Sequence, residues 1–261
     1  VITPPDLTAR DEFGGSVSLI GNKLVIGARR DDDRGSDTGA VWIYERNGTT
    51  WSISEKLLTT DVDRRDRMGE SVSASSGLLL RGMADGEKGQ LSQFPDPVIA
   101  VGVPGDDDGE DGSGSVYSYA LAASGAEFGS KLTNPTPLED EAFGDAVAIS
   151  PTALIVGAPL SAPSDVTNAG KASLFTAAPV LITDGEKGDS STGPIYNFAD
   201  AFENPAGFDA NDRFGNAVAI DEGGAYAVIG AFGGNGPDSP TDLTGGNTGV
   251  AVIIGTDSNN E

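Results

Sequence analysis

The chain has 261 residues with 40 acidic and 16 basic side chains, which gives a formal net charge of −24. Such a charge argues against binding to nucleic-acid phosphates. The absence of Cys and His excludes disulfides, zinc sites built from thiolates or imidazoles, and a Ser-His-Asp triad. No stretch approaches the roughly 20 apolar residues of a membrane helix, so we expect no membrane insertion.

One short motif recurs four times along the chain. It consists of an aromatic residue or Met followed by Gly, and the first residue of the pair is called the anchor here. The anchors are Phe13, Met68, Phe143 and Phe214. Apolar residues stand four and six positions after each anchor, with polar or small residues between most of them, and this spacing predicts a half-buried strand A.

Two further strands follow each strand A. Strand B is a short, continuously apolar run that ends in Gly plus one residue, and this pattern indicates a strand covered on both faces. Its copies are residues 24–28, 98–103, 154–158 and 227–231. Strand C begins after a second Gly and alternates apolar residues; these glycines are Gly39, Gly114, Gly170 and Gly249.

A weaker strand D precedes the next anchor. Its clearest copies are SISEKLL (52–58) and EFGSKLT (127–133), and Leu57 stands as far before Met68 as Leu132 stands before Phe143. Ile2 has the same spacing to Phe13, so the N-terminal residues resemble a strand D without its own A, B and C. The anchor-to-strand-B distance is longer in the second repeat, which indicates an insertion at about residues 81–97, and a second insertion falls at about residues 178–194. Both insertions contain DGEKG, at 85–89 and 184–188, which is typical of exposed hairpin tips.

Four short strands in each repeat predict an all-β fold, a β-propeller of four-stranded antiparallel blades. We expect a single domain over 1–261, with blade repeats at about 11–60, 66–133, 141–204 and 212–261 and with residues 1–5 as a closing strand. In that interpretation the N-terminal strand completes the last blade and seals a ring of four blades. The alternative is that these repeats are a piece of a longer propeller.

The repeats resemble a known family. The segment 11–57, DEFGGSVSLIGNKLVIGARRDDDRGSDTGAVWIYERNGTTWSISEKL, looks like an FG-GAP repeat, the blade of integrin-α-type propellers, and is especially similar to its bacterial and algal variant. Residues 141–159 and 211–231 match the same pattern. The resemblance implies a module of extracellular or surface proteins for adhesion and protein contacts, often with Ca²⁺ in loops. The integrin calcium loop DxDxDGxxD is absent: Ile20-Gly-Asn-Lys23 joins strands A and B of the first repeat without an acid.

An acid stands two residues before every anchor: Asp11, Asp66, Glu141 and Asp212. Recurrence in every blade favours a structural role, in which the carboxylate accepts backbone N–H bonds where the chain turns into strand A. The anchors themselves are expected to be wedged between blades. No pair of acids is marked by a surrounding motif as a hydrolase site, so no catalytic residue is predicted.

The best candidates for a metal site are two acidic loops between strands B and C. Their candidate ligands are Asp31, Asp33, Asp37, Asp106, Asp108 and Asp111. Calcium takes six to eight oxygen ligands, and flexible carboxylate loops can supply them. The alternative is a solvated turn whose Asp side chains cap backbone N–H groups. The third and fourth loops are poor in acids.

The function predicted from these observations is a non-enzymatic interaction or adhesion module, extracellular or on the cell surface, with proteins or matrix components as partners. One alternative is a structural subunit that self-associates head to tail through strand exchange. Another is a glycan-binding or glycan-active propeller. Asn47-Gly48-Thr49 is a possible N-glycosylation sequon at a hairpin tip.

Overall fold

The computed structural model describes residues 1–80, 91–177, 195–204, 209–233 and 249–256. These residues form four antiparallel sheets in chain order, and each sheet is one blade of a β-propeller. The first blade contains β1 (Phe13–Ile20), β2 (Lys23–Ala28), β3 (Ala40–Asn47) and β4 (Thr50–Leu57). The second contains β5 (Val72–Leu80), β6 (Leu91–Val103), β7 (Ser115–Ala122) and β8 (Gly125–Thr133).

The third and fourth blades repeat this order. The third contains β9 (Ala146–Ile149), β10 (Ala153–Ala158), β11 (Lys171–Ala177) and β12 (Tyr196–Phe202). The fourth contains β13 (Phe214–Ile220), β14 (Tyr226–Ala231) and β15 (Val250–Gly255). A 3₁₀ turn, Pro163–Asp165, lies between β10 and β11. None of the described residues belongs to a helix long and apolar enough to cross a membrane.

The strands therefore confirm the all-β propeller and the A-B-C-D order of its repeats. In the third blade, sheets on both sides cover strand B, and all six residues of β10 are buried. The insertion of the second blade lengthens the β5–β6 hairpin, in which Leu80 pairs with Leu91. The DGEKG tips themselves lie outside the described residues.

Three junctions between neighbouring blades contain the hydrophobic core. The first joins residues such as Val25 and Ile43 of blade one to Ile99 and Val101 of blade two. The second and third repeat the arrangement around Phe143 and Phe214. The anchors Met68, Phe143 and Phe214 are fully buried in these junctions, as predicted.

Backbone hydrogen bonds fasten each junction beside its core. At the first junction, Arg65, Arg67 and Met68 donate their N–H groups to the carbonyls of residues 36, 37 and 38, which belong to the β2–β3 loop. The second junction repeats these bonds from residues 140, 142 and 143 to residues 111, 112 and 113. The third repeats them from residues 211, 213 and 214 to residues 167, 168 and 169. The loop after strand B thus holds the lead-in segment of the next blade.

The N-terminal strand does not close the ring, and that interpretation is corrected. Residues 1–5 form no strand, and in the described residues the fourth sheet has three strands. Ile2 instead packs on the outer face of the first blade, against a cluster that includes Ile26, Trp42 and Tyr44. Apolar side chains of the outer faces of both the first and the fourth blade are exposed, so these faces are not joined to each other.

Candidate functional site

The acids before the anchors are structural, as predicted. All four are buried. Asp66 accepts the N–H of Asp63 at 2.6 Å, Asp212 accepts that of Asp209 at 3.0 Å, and Asp11 accepts that of Thr8 at 2.6 Å. Glu141 likewise accepts the backbone N–H of Leu138, and it also accepts the side-chain amide of Asn134 at 2.8 and 2.9 Å. Each carboxylate therefore fixes the turn that leads into strand A.

The first acidic loop surrounds a lysine that the sequence interpretation did not include. The Lys56 ammonium, on β4, lies 2.7 Å from Asp31, 2.6 Å from Asp33 and 3.3 Å from Asp6. It also lies 4.7 Å from the centre of the Trp42 ring, so the cation has an aromatic face as well as three carboxylates. Burial lowers the pKa of Lys56, but the hydrogen bonds that its ammonium donates to Asp31 and Asp33 outweigh this effect and leave the pKa raised. Lys56 is therefore a fixed positive charge.

The second acidic loop repeats this arrangement in the next blade. The Lys131 ammonium, on β8, contacts Asp108 and lies 2.9 Å from both Asp106 and Asp61. Its aromatic face is Tyr117, at 5.2 Å from the ring centre. The hydroxyl of Tyr117 donates to Asp61 at 2.8 Å, and that of Ser115 donates to Asp106 at 2.8 Å. We call these two clusters the lysine cages.

The donor sets of the cages do not fit calcium. A Ca²⁺ ion needs six to eight free oxygen ligands, whereas an ammonium group already occupies the centre of each carboxylate cluster. Within the described ranges, no group of three or more acidic side chains is arranged to hold a metal ion. Calcium binding stays a prediction, but in this structure the four carboxylates predicted as ligands here, Asp31, Asp33, Asp106 and Asp108, bind lysine.

The other two predicted ligands lie apart from the cages. Asp37 and Asp111 use their backbone carbonyls to accept N–H groups of the next blade, from Arg67 and Asp140. The side chain of Asp37 lies 3.9 Å from Arg30 and does not join Asp31 and Asp33 at Lys56. The structure therefore separates each predicted trio into a caged pair and a junction residue.

The third blade has none of the cage residues at the corresponding positions. Where the first two blades have the buried aspartate, the lysine and the aspartate of the lead-in segment, the third has Ser161, Ala201 and Thr136. Ser173 replaces the aromatic residue opposite the lysine position. Joint replacement of all parts is expected if the lysine and its carboxylates act as one unit, because an unpaired buried charge is costly.

A groove of about 780 Å³ opens on the loop face, between the second and third blades. Its lining carries charges of both signs: Arg64, Arg65 and Arg67, and the acids Asp107, Asp111, Glu139 and Asp140. The backbone of the lining is held by the junction hydrogen bonds described above, so the groove is a fixed part of the scaffold.

The possible glycosylation residue, Asn47, is exposed at the end of β3, at the tip of the β3–β4 hairpin. Gly48 follows with φ of 61°, a conformation that suits glycine in a tight turn. The position is accessible, and modification there stays a prediction.

Comparison with known protein families also supports the propeller fold. The family model of the FG-GAP repeat matches residues 1–44 and 123–175. These segments cover strands A to C of the first blade and of the third. These matches and the four-bladed fold support an FG-GAP repeat propeller. A search of curated proteins found no match.

The residues of the lysine cages could have been found from the sequence, because they recur at the same spacing from the anchors. Lys56 stands as far before Met68 as Lys131 stands before Phe143. Asp6 and Asp61 likewise stand equally far before their own anchors, Phe13 and Met68. This shared spacing marks all four residues as repeat positions. The arginines of the groove carry no such signal, since only folding brings them opposite the β6–β7 loop.

Proposed function

We propose that this FG-GAP propeller is a non-enzymatic protein-interaction module of an extracellular or cell-surface protein, and that the groove on its loop face binds the partner. FG-GAP repeats occur in integrin-like interaction modules, which supports the general class. The observation that carries the proposal is the groove of about 780 Å³, whose charged side chains stand on a backbone fixed by two blade junctions. A rigid scaffold with charged loops suits specific contact with another protein.

The arginines are the most informative residues of the groove. Arg64 and Arg65 belong to the few basic residues of a chain with net charge −24, and in the groove they lie with Arg67 and four acidic residues. A partner with a complementary pattern of both signs would find its basic contacts here and few elsewhere on the surface. We expect this local charge to determine where a partner docks.

Charge reversal tests this proposal. Binding to immobilised extracellular-matrix and cell-surface fractions would be measured by biolayer interferometry for the wild type and for an Arg64→Glu/Arg65→Glu variant. We expect binding to fall at least tenfold in the variant. Arg46→Glu is the control, because Arg46 lies in β3 next to the β3–β4 hairpin, at the opposite end of the strand from the β2–β3 loop. Equal loss in the control, or no loss in the groove variant, would reject the groove as the binding surface.

A further inference from the structure

The groove on the loop face contains apolar residues as well as charges. Pro104 and Ala142 are buried in its lining, and Leu160 and Ala162 are half-buried. The charged residues that share this lining are exposed, with the exception of Arg67, which is half-buried. The apolar residues therefore form the deeper part of the groove, and an apolar centre with a polar surround is typical of surfaces that bind proteins.

Leu160 stands at a position that the other blades fill differently. In every blade the backbone N–H of this residue donates to the carbonyl of the buried acid before the anchor, at 3.1 to 3.3 Å. The four residues are Arg30, Gly105, Leu160 and Gly233. Because arginine and glycine make the same backbone bond, the fold does not require an apolar side chain here. Leu160 therefore needs another explanation, which its place in the groove supplies.

The backbone around Leu160 also leaves more space than the equivalent backbone of the second and fourth blades. A Cβ added to Gly105 would lie 2.2 Å from the carbonyl oxygen of Arg65, and one added to Gly233 would lie 2.1 Å from that of Asn211. Both carbonyls belong to the residue before the buried acid. In the third blade the same position carries a whole leucine side chain, and this side chain lines the groove.

The charges of the groove lie on two different blade junctions. Arg65 donates its N–H to Ser36 of the first blade at 3.0 Å, whereas Asp140 of the third lead-in segment donates its N–H to Asp111 of the second blade at 2.8 Å. Within the described ranges, neither Arg64 nor Arg65 has an ion-pair partner. Their guanidinium groups are therefore available to a carboxylate that a partner brings.

We propose, building on the function proposed above, that the partner enters this groove as an extended segment with an apolar side chain packed on Leu160. The segment also carries an acidic residue, which pairs with Arg64 or Arg65, and a basic residue, which pairs with acids of the lining such as Asp111 or Asp140. A segment with acidic residues alone would be repelled by the four acids of the lining. Leu160 determines the specificity, because desolvated contacts at the centre of an interface contribute most to affinity.

A phage-displayed library of random linear peptides tests the chemistry of the segment. Peptides of about 12 residues are long enough to cross the groove when extended. Those selected on the wild-type protein would be synthesised, and their dissociation constants would be measured by fluorescence polarisation. We expect them to share an apolar residue close in sequence to both an acidic and a basic residue.

Two substitutions test the contact with Leu160. Leu160→Arg introduces the residue type that the first blade has at this position, so it is compatible with the fold, and we expect the selected peptides to bind at least about tenfold more weakly. Leu160→Ala should weaken binding without adding a charge. Ile53→Arg is the matched control, because Ile53 is 42% exposed on β4 and lies outside the lining of the groove. Melting temperatures verify that each variant is folded.

The Arg64→Glu/Arg65→Glu variant separates this inference from the proposed function. Peptides that lose binding in this variant but bind both Leu160 variants as tightly as the wild type would overturn the role of Leu160 and leave the groove as the binding surface. Peptides that bind every variant equally would reject both. Selection of no peptide would overturn the extended segment, while the assay with matrix and cell-surface fractions would still test the groove.

Discussion

At the scale of single residues, the lysine cages replace the expected metal sites as the main electrostatic feature. Each cage holds one ammonium group among three carboxylates, and the innermost carboxylates, Asp31 and Asp106, are buried. A buried carboxylate is tolerated only with a partner, so the lysine and the aspartate depend on each other. The cages join β4 or β8 to the loop after strand B of the same blade.

Removal of one lysine should expose this dependence. We expect Lys131→Met to lower the free energy of unfolding by about 2–3 kcal/mol, because Asp106 would stay buried without its cation. Lys171→Met is the control: Lys171 is as little exposed as Lys131, but among the described residues its one ion pair within 4 Å is with Glu203, at 3.9 Å. Lys171→Met should lower the free energy of unfolding by less than about 1 kcal/mol. Urea unfolding measures the free energy of unfolding of both variants. Equal losses would contradict the claim that Asp106 depends on Lys131.

The Lys131→Met variant also tests whether the lysine cage excludes calcium. Because the ammonium of the wild type fills the cage, we expect millimolar CaCl₂ to leave the melting temperature of the EDTA-treated wild type unchanged. Lys131→Met leaves three carboxylates near one point, and we expect Ca²⁺ to raise its melting temperature. A calcium shift in the wild type that disappears in Asp31→Asn or Asp106→Asn would instead support the calcium sites predicted from the sequence.

Asp66 should make stability depend on pH. Burial raises the pKa of Asp66 to about 6, and Asp106 and Asp107 add to the effect. A raised pKa means that the folded state binds the proton more tightly than the unfolded state, so this stabilisation is full below about pH 3.8 and is lost as the pH rises through about 6. We therefore expect Asp66→Asn to become progressively more stable relative to the wild type between pH 4.5 and 7.

Asp61→Asn is the control for this titration. Hydrogen bonds from Lys131 and Tyr117 hold the pKa of Asp61 below its usual range, so its own change falls at lower pH. The difference in melting temperature between Asp61→Asn and the wild type should stay constant between pH 5 and 7. Thermal melts across the range measure both variants, and parallel curves for Asp66→Asn and the wild type would refute the assignment.

At the scale of elements, close backbone contact at the strand-B glycines decides how blades stack. Gly157→Ala places a methyl group 1.8 Å from the Gly215 carbonyl oxygen, which neither backbone can avoid without moving the junction. We expect a loss of about 3 kcal/mol or more in stability. Gly230→Ala, at the same repeat position, should change the stability of the dilute monomer by less than about 1 kcal/mol. Urea unfolding at low protein concentration measures the free energy of unfolding of both variants. Similar losses would show that the lower strand propensity of glycine, and not the junction contact, determines the effect.

At the scale of the whole molecule, net charge opposes compactness. With a net charge of −24 and a pI near 4.1, the folded chain repels itself at neutral pH. Raising NaCl from about 20 to 300 mM shortens the Debye length and should raise the melting temperature at pH 7. The same salt series at pH 4.5, close to the pI, is the control and should give a smaller shift. No salt effect at pH 7 would mean that pairs such as the lysine cages already balance the repulsion.

The sequence alone determined the fold and its repeat unit. The anchors, the period-two alternation of strand A and the apolar runs of strand B are local patterns that recur in every blade. The structural role of Asp11, Asp66, Glu141 and Asp212 followed from the same recurrence.

Only the tertiary structure decided what the acidic loops contact and whether the ring closes. Asp31 and Lys56 are distant in the sequence, and pairing of β3 with β4 brings the lysine to the loop. Composition cannot distinguish a carboxylate that awaits a cation from one that already holds a lysine. Closure depends on the angle between successive blades, which small packing contacts at residues such as Gly157 determine, and a short sequence motif does not encode that angle.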